Sequence, residues 1–128
     1  MRELTNAEEQ IMQVLWKIEK GFVKDVIEFL PDPKPAYNTV STIVRILEKK
    51  GFVSHKAYGK SHEYYSLVSK DEYKKSFLKR FMKNYFGNSF KDMVSFFAKD
   101  QKMSVKELEE IQKMFKDVLS KQKSGDDD

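Results

Sequence analysis

Ala7, Ile11, Val14, Leu15 and Ile18 recur at three- and four-residue steps, which places them on one face and predicts a helix over about residues 6–19. Thr5-Asn6-Ala7-Glu8 ahead of it has the hydroxyl-to-carboxylate spacing of a capping box, and Lys20-Gly21 is expected to end it. Val23, Val26, Ile27 and Leu30 repeat the pattern for a short second helix, which Pro31, Pro33 and Pro35 stop. A third helix is expected from about Ala36 to Lys50, with Val40, Ile43, Val44 and Leu47 inward and Gly51 after its end. The period then changes. Residues 52–58 and 61–67 are strand-like and flank Gly59-Lys60, a two-residue turn that would set Lys56 opposite Glu63 and His55 opposite Tyr64.

Helical spacing returns after Ser69-Lys70-Asp71-Glu72, a second capping box. Tyr73, Phe77, Phe81 and Tyr85 follow at four-residue steps until Gly87-Asn88. Phe90, Met93, Val94 and Phe97 define a fifth helix over about 89–99. Leu108, Ile111, Phe115, Val118 and Leu119 define a sixth over about 105–120, behind a third box at Ser104–Glu107. The polar stretch 121–128 is expected to be a disordered tail. The expected fold class is mostly α with a small antiparallel β wing: a winged helix-turn-helix over 1–68, then a helical dimerisation region over 69–120.

Composition sharpens the second half. Eight of the sixteen Phe and Tyr residues lie between Tyr73 and Phe97, more aromatic surface than three short helices bury internally. The excess could pack back on the first domain or on a second copy of the chain; the second is favoured, with Phe77, Phe81, Met93, Phe97, Leu108, Ile111 and Phe115 as the expected dimerisation residues. Lys74 to Lys83 alternates lysines with aromatics. That stretch fits an ordinary amphipathic helix or one lying on a membrane surface. No run is long enough to span a membrane and the start lacks an apolar leader, so a cytoplasmic protein without membrane insertion is expected.

Catalysis finds little support. With no cysteine, thiolate metal sites and cysteine nucleophiles are excluded. His55 and His62 show no paired-ligand spacing, and there is no glycine-rich phosphate loop. No enzyme, metal or cofactor is expected. The charge pattern is more informative. Between Lys34 and His62 six Lys/Arg stand against one acid, Glu48, an excess larger than the whole chain's +4. That excess falls on the third helix and the hairpin, the two elements a winged helix presents to double-stranded DNA. The candidate contacts are Tyr37, Asn38, Thr39, Ser41, Thr42, Arg45, Lys49, Lys56 and Lys60. Asn suits adenine, Thr suits phosphate or the thymine methyl, and Arg suits guanine or phosphate. Two alternatives stay open: Thr39 as a cap or brace at the helix start, and Tyr37 as a plug at the corner before it. A winged-helix module that binds protein rather than DNA is the competing reading.

Several stretches resemble the penicillinase-repressor (BlaI/MecI/CopY) family of bacterial transcription regulators. They are Leu4-Thr5-Asn6-Ala7-Glu8 with Ile11 to Trp16, Asn38 to Thr42, Leu47 to Phe52, Tyr64 to Val68 and Met103 to Ile111. The resemblance covers residues 4–119. It implies an N-terminal winged helix, a C-terminal dimerisation region and repression at a dyad-symmetric operator. In the antibiotic-resistance members it also implies a membrane sensor peptidase as partner, with the repressor cut at an Asn–Phe step. Phe96-Phe97 stands at the corresponding place here, and Asn38 and Ser41 stand where those repressors carry basic residues. The copper-responsive branch uses a C-terminal cysteine cluster, which this sequence lacks.

Overall fold

The computed structural model describes residues 1–100 and 103–126. The elements run α1 (Asn6–Ile18), β1 (Lys20–Gly21), α2 (Val23–Glu28), α3 (Tyr37–Lys49), β2 (Val53–Tyr58), β3 (Ser61–Ser66), α4 (Lys70–Phe86), α5 (Phe90–Asp100) and α6 (Val105–Asp126). The strands form one antiparallel sheet in the order β1-β3-β2. Three helices interleaved with that sheet make a winged helix-turn-helix, in which β2, β3 and the Gly59-Lys60 turn are the wing. The hairpin register is the expected one, Lys56 facing Glu63 and His55 facing Tyr64. Gly59 has φ +62, the left-handed conformation such a turn demands.

The chain divides into two compact units, Met1–Lys79 and a second from Arg80 onward, with the boundary inside α4. In the first unit Ile11, Met12, Leu15, Val26, Val40, Val44, Leu47, Phe52 and Val53 are buried together. Ala7, expected on the inner face of α1, is exposed; Leu4, Glu8 and Met12 take the inner positions. Tyr73 joins this core from the first turn of α4, its ring 5.6 Å from Trp16 and 6.1 Å from Phe52. The Trp16 indole donates to the Val68 carbonyl at 2.8 Å, fixing the chain as it leaves the sheet.

Two local features depart from the sequence reading. The residue that ends α1 in a positive-φ conformation is Glu19 (φ 72, ψ −45), while Gly21 forms part of β1. Gly21 is glycine for want of room: a Cβ there would lie 2.8 Å from Ile18 Cδ1 and 3.2 Å from Asp25 Cβ. A two-residue strand is too short to show alternation, so β1 leaves no pattern in the sequence. At the other end, α6 continues through Asp126 rather than stopping near 120, since residues 121–123 are good helix formers; the rest of the expected tail, 127–128, lies outside the described residues.

Of the described ion pairs in the first unit, the most deeply buried joins Glu8 and Lys50. Glu8, 3% exposed, bonds through Oε1 to Lys50 Nζ at 2.7 Å and to the Thr5 N–H at 2.8 Å. Burial pushes its carboxyl up, but Lys50 and the Thr5 amide and hydroxyl outweigh that and hold it below the ordinary carboxylate value.

Candidate nucleic-acid interface

The inner positions of α3 are taken by Val40, Val44 and Leu47, so the 3.6-residue period turns its other side chains outward. Tyr37, Asn38, Thr39, Thr42, Arg45 and Lys49 are exposed, and Ser41 is half-buried. Tyr37 is 59% exposed and plugs no corner. The N-cap of α3 is Ala36, which makes no side-chain bond, so Thr39 does not serve as the cap. The Thr42 hydroxyl donates to the Asn38 carbonyl at 2.9 Å and Arg45 Nε donates to the Ser41 carbonyl at 3.3 Å. Both side chains lie along the helix surface.

Beside α3 the wing encloses a groove of about 550 Å³. Tyr37, Ser41 and Arg45 line it from α3, and Phe22, Val23 and Lys24 from the start of α2. The hairpin contributes Tyr58, Lys60, Ser61, His62 and Tyr64. Four of the nine expected contacts (Tyr37, Ser41, Arg45 and Lys60) therefore meet around one groove. Asn38, Thr39, Thr42 and Lys49 are on α3 outside that lining. Lys56 is exposed on β2 with its ammonium 5.2 Å from the Tyr58 ring centre.

Not all of the basic excess is free. Lys34 Nζ donates to the carbonyls of Glu28 and Leu30, closing the end of α2. Lys50 is committed to Glu8 and the Glu3 carbonyl. Such internal uses depend on tertiary placement and leave no mark on the sequence. Lys24 and His62 join the groove from outside the expected set. The signal for Lys24 is its place beside the N-terminus of a helix packed against α3; for His62 it is alternation along β3, which puts it on the same side as Tyr64.

The hairpin histidines form a defined cluster. His55 Nδ1 bonds to the Glu48 carboxylate of α3, with Oε2 at 3.1 Å. His62 stacks on His55 with ring centres 4.0 Å apart and planes 8° from parallel. Tyr64 lies 5.6 Å from His55 and 6.2 Å from His62. Burial, and then the Glu48 charge, push its phenol above the ordinary value. Among the described residues no group of three or more His, Cys, Asp or Glu is placed to hold a metal ion.

In the second unit Phe81 is half-buried against Tyr85 and Phe86, at 5.2 and 5.6 Å. Phe115 meets Phe90 edge-on at 5.0 Å. Met93 and Ile111 are half-buried, whereas Phe97, Leu108 and Phe115 remain exposed, as does Phe77 in the first unit. Phe96 is exposed on α5, a helix with no buried residue. No described helix is long and apolar enough to cross a membrane.

Residues 4–117 match the family described as penicillinase repressor. The chain belongs to the penicillinase repressor family. The methicillin resistance regulatory protein MecI of Staphylococcus aureus (strain N315) is 29% identical over 110 residues, which cover 85% of this chain and 89% of MecI. The penicillinase repressor of Staphylococcus aureus is 25% identical over 120 residues, 93% of this chain and 95% of that repressor. A solution structure of the DNA-binding domain of the repressor BlaI matches at TM-score 0.49 and 26% identity. It covers 57% of this chain and 94% of that domain. In this member of the penicillinase repressor family, α3 and the wing are the elements whose outward side chains form the candidate interface.

Proposed function

We propose that the chain is a homodimeric transcriptional repressor that binds a dyad-symmetric operator, reading bases with α3 and holding the backbone with the wing. The observation that carries this reading is the outward row of Asn38, Thr42 and Arg45 beside a groove edged by Lys24 and Lys60, in a member of a repressor family. Asn and Thr at the exposed start of a helix are suited to base edges, and flanking cations to phosphates. Two copies joined through the second unit would present two such helices to two half-sites. The exposed apolar residues Phe97, Leu108 and Phe115 support that assembly. Release by a sensor peptidase cutting at Phe96-Phe97 would require local unwinding of α5, where that bond lies.

The test is a salt titration of binding to DNA fragments selected by the full chain, with sedimentation run alongside. The expected result is a dimer whose log K falls linearly with log salt, by about 0.9 for each phosphate neutralised. Binding that is indifferent to salt would replace this reading with a protein-interaction module.

A further inference from the structure

The groove between α3 and the wing is cationic on every side. Lys24, Arg45 and Lys60 reach it from α2, α3 and the turn, and among the described residues no carboxylate lines it. His62 stands in the same wall, so a single proton decides whether it adds to that field or only offers a neutral imidazole. We propose that His62 contacts a DNA backbone phosphate as an imidazolium, with His55 and Glu48 behind it as positioning residues, so that DNA binding takes up a proton. The inference rests on the DNA-binding reading above and deepens it.

The geometry gives each group a part. Glu48 fixes the His55 ring through Nδ1 and supplies the negative charge behind it. His55 in turn supports the parallel face of His62 at 4.0 Å, which fixes the plane of the second ring. The titratable and charged groups around His62 are His55 and Tyr58 on β2, Tyr64 beside it on β3, and Lys60 in the turn. Tyr37 and Arg45 of α3 and Lys24 of α2 line the same groove, and Glu48 is bonded to His55 on the far side of the stack. A proton on His62 adds its charge to those of Lys24, Arg45 and Lys60 in the lining of one groove. A phosphate oxygen in the groove supplies the opposite charge. Protonation and phosphate binding therefore favour one another by linkage. Glu48 is held by His55 and lies behind the stack, so it anchors the pair without reversing the sign of the groove.

The experiment measures binding of the full-length protein to a short fluorescein-labelled duplex of mixed sequence between about pH 5 and about pH 8. The expected result is an affinity that rises about tenfold toward the acid end, with the salt slope steepening by about one per engaged subunit. His62→Gln should lose the pH dependence, so that its affinity at the acid end falls about tenfold below the wild type's. Arg45→Ala should weaken binding at every pH and leave the pH slope in place. His55→Gln, which removes the support, should diminish the slope while His62 still titrates. By NMR the His62 ring protons should titrate at higher pH with duplex than without. A His62→Gln protein that keeps the wild-type slope, or ring protons indifferent to duplex, would overturn the proposal while leaving DNA binding standing. A wild-type protein without salt-dependent binding at any pH would overturn both readings.

Discussion

The ring of Tyr73, from the first turn of α4, lies 5.6 Å from that of Trp16 in the middle of α1. The winged-helix core is therefore closed by a residue beyond the winged-helix elements, and Tyr73 is only 5% exposed. A fragment ending at Lys79 should be more stable than one ending at Val68 by about 3–5 kcal/mol, the usual range for truncating a large buried aromatic. Tyr73→Ala in the full chain should destabilise the first unit by a similar amount. Urea unfolding followed by Trp16 fluorescence checks both.

The Glu8–Lys50 pair predicts a specific acid sensitivity. The folded carboxyl is held below its ordinary 4.5, so the stability it contributes is complete above that value and is lost as pH falls through the folded value. Glu8→Gln should cost about 1–3 kcal/mol near neutrality, because the half-buried Lys50 ammonium loses its carboxylate and keeps only the Glu3 carbonyl. It should also flatten the acid limb of the stability curve. Adding Lys50→Met should recover part of the loss, which a double-mutant cycle measures.

The turn between α1 and α2 holds two positions where mutagenesis should act in opposite directions. Gly21→Ala should destabilise by about 1–2 kcal/mol, because the new methyl collides with Ile18 and crowds Asp25. Glu19→Gly should stabilise by about 1 kcal/mol, since φ 72 with ψ −45 strains any residue with a Cβ. Denaturation midpoints that move together would contradict this account.

At the proposed DNA surface the roles should separate. Asn38→Ala and Thr42→Ala should weaken the preferred sequence by about 1–3 kcal/mol and flatten discrimination among sequences. Lys56→Ala and Lys60→Ala should weaken all duplexes alike and lower the salt slope by about one for each phosphate that the lysine had neutralised. Competition with mixed-sequence duplex distinguishes the two outcomes.

Assembly gives a further expectation. Leu108→Glu and Phe115→Glu should shift sedimentation from dimer to monomer and lower operator affinity by orders of magnitude as the two-site advantage disappears. A dimer that survives both changes would remove α6 from the interface.

Much of the fold is legible in the chain because its local instructions are explicit. The boxes at Thr5–Glu8 and Ser104–Glu107 form with the expected reciprocal bonds, and Ser69 accepts from the Glu72 amide at the start of α4. The Gly59-Lys60 turn sets the hairpin register by itself. What escapes such a reading is decided by packing between distant segments. Lys34 and Lys50 look like part of a basic patch until the carbonyls of α2 and the Glu8 carboxylate claim them. Tyr73 reads as the first member of an aromatic stripe, and only packing assigns it to the neighbouring core. The stacked histidines sit diagonally across a hairpin, a relationship that register implies but residue type does not announce.

The hydrogen bonds from Thr42 and Arg45 to carbonyls of their own helix bear on the thermodynamics of recognition. Side chains already held along α3 explore fewer rotamers before they meet a ligand, so less conformational entropy is surrendered on binding. The reading face is in that sense a stamp rather than a set of fingers. On the proposed reading by α3, its discrimination would come from whether a sequence fits a pattern largely formed in advance.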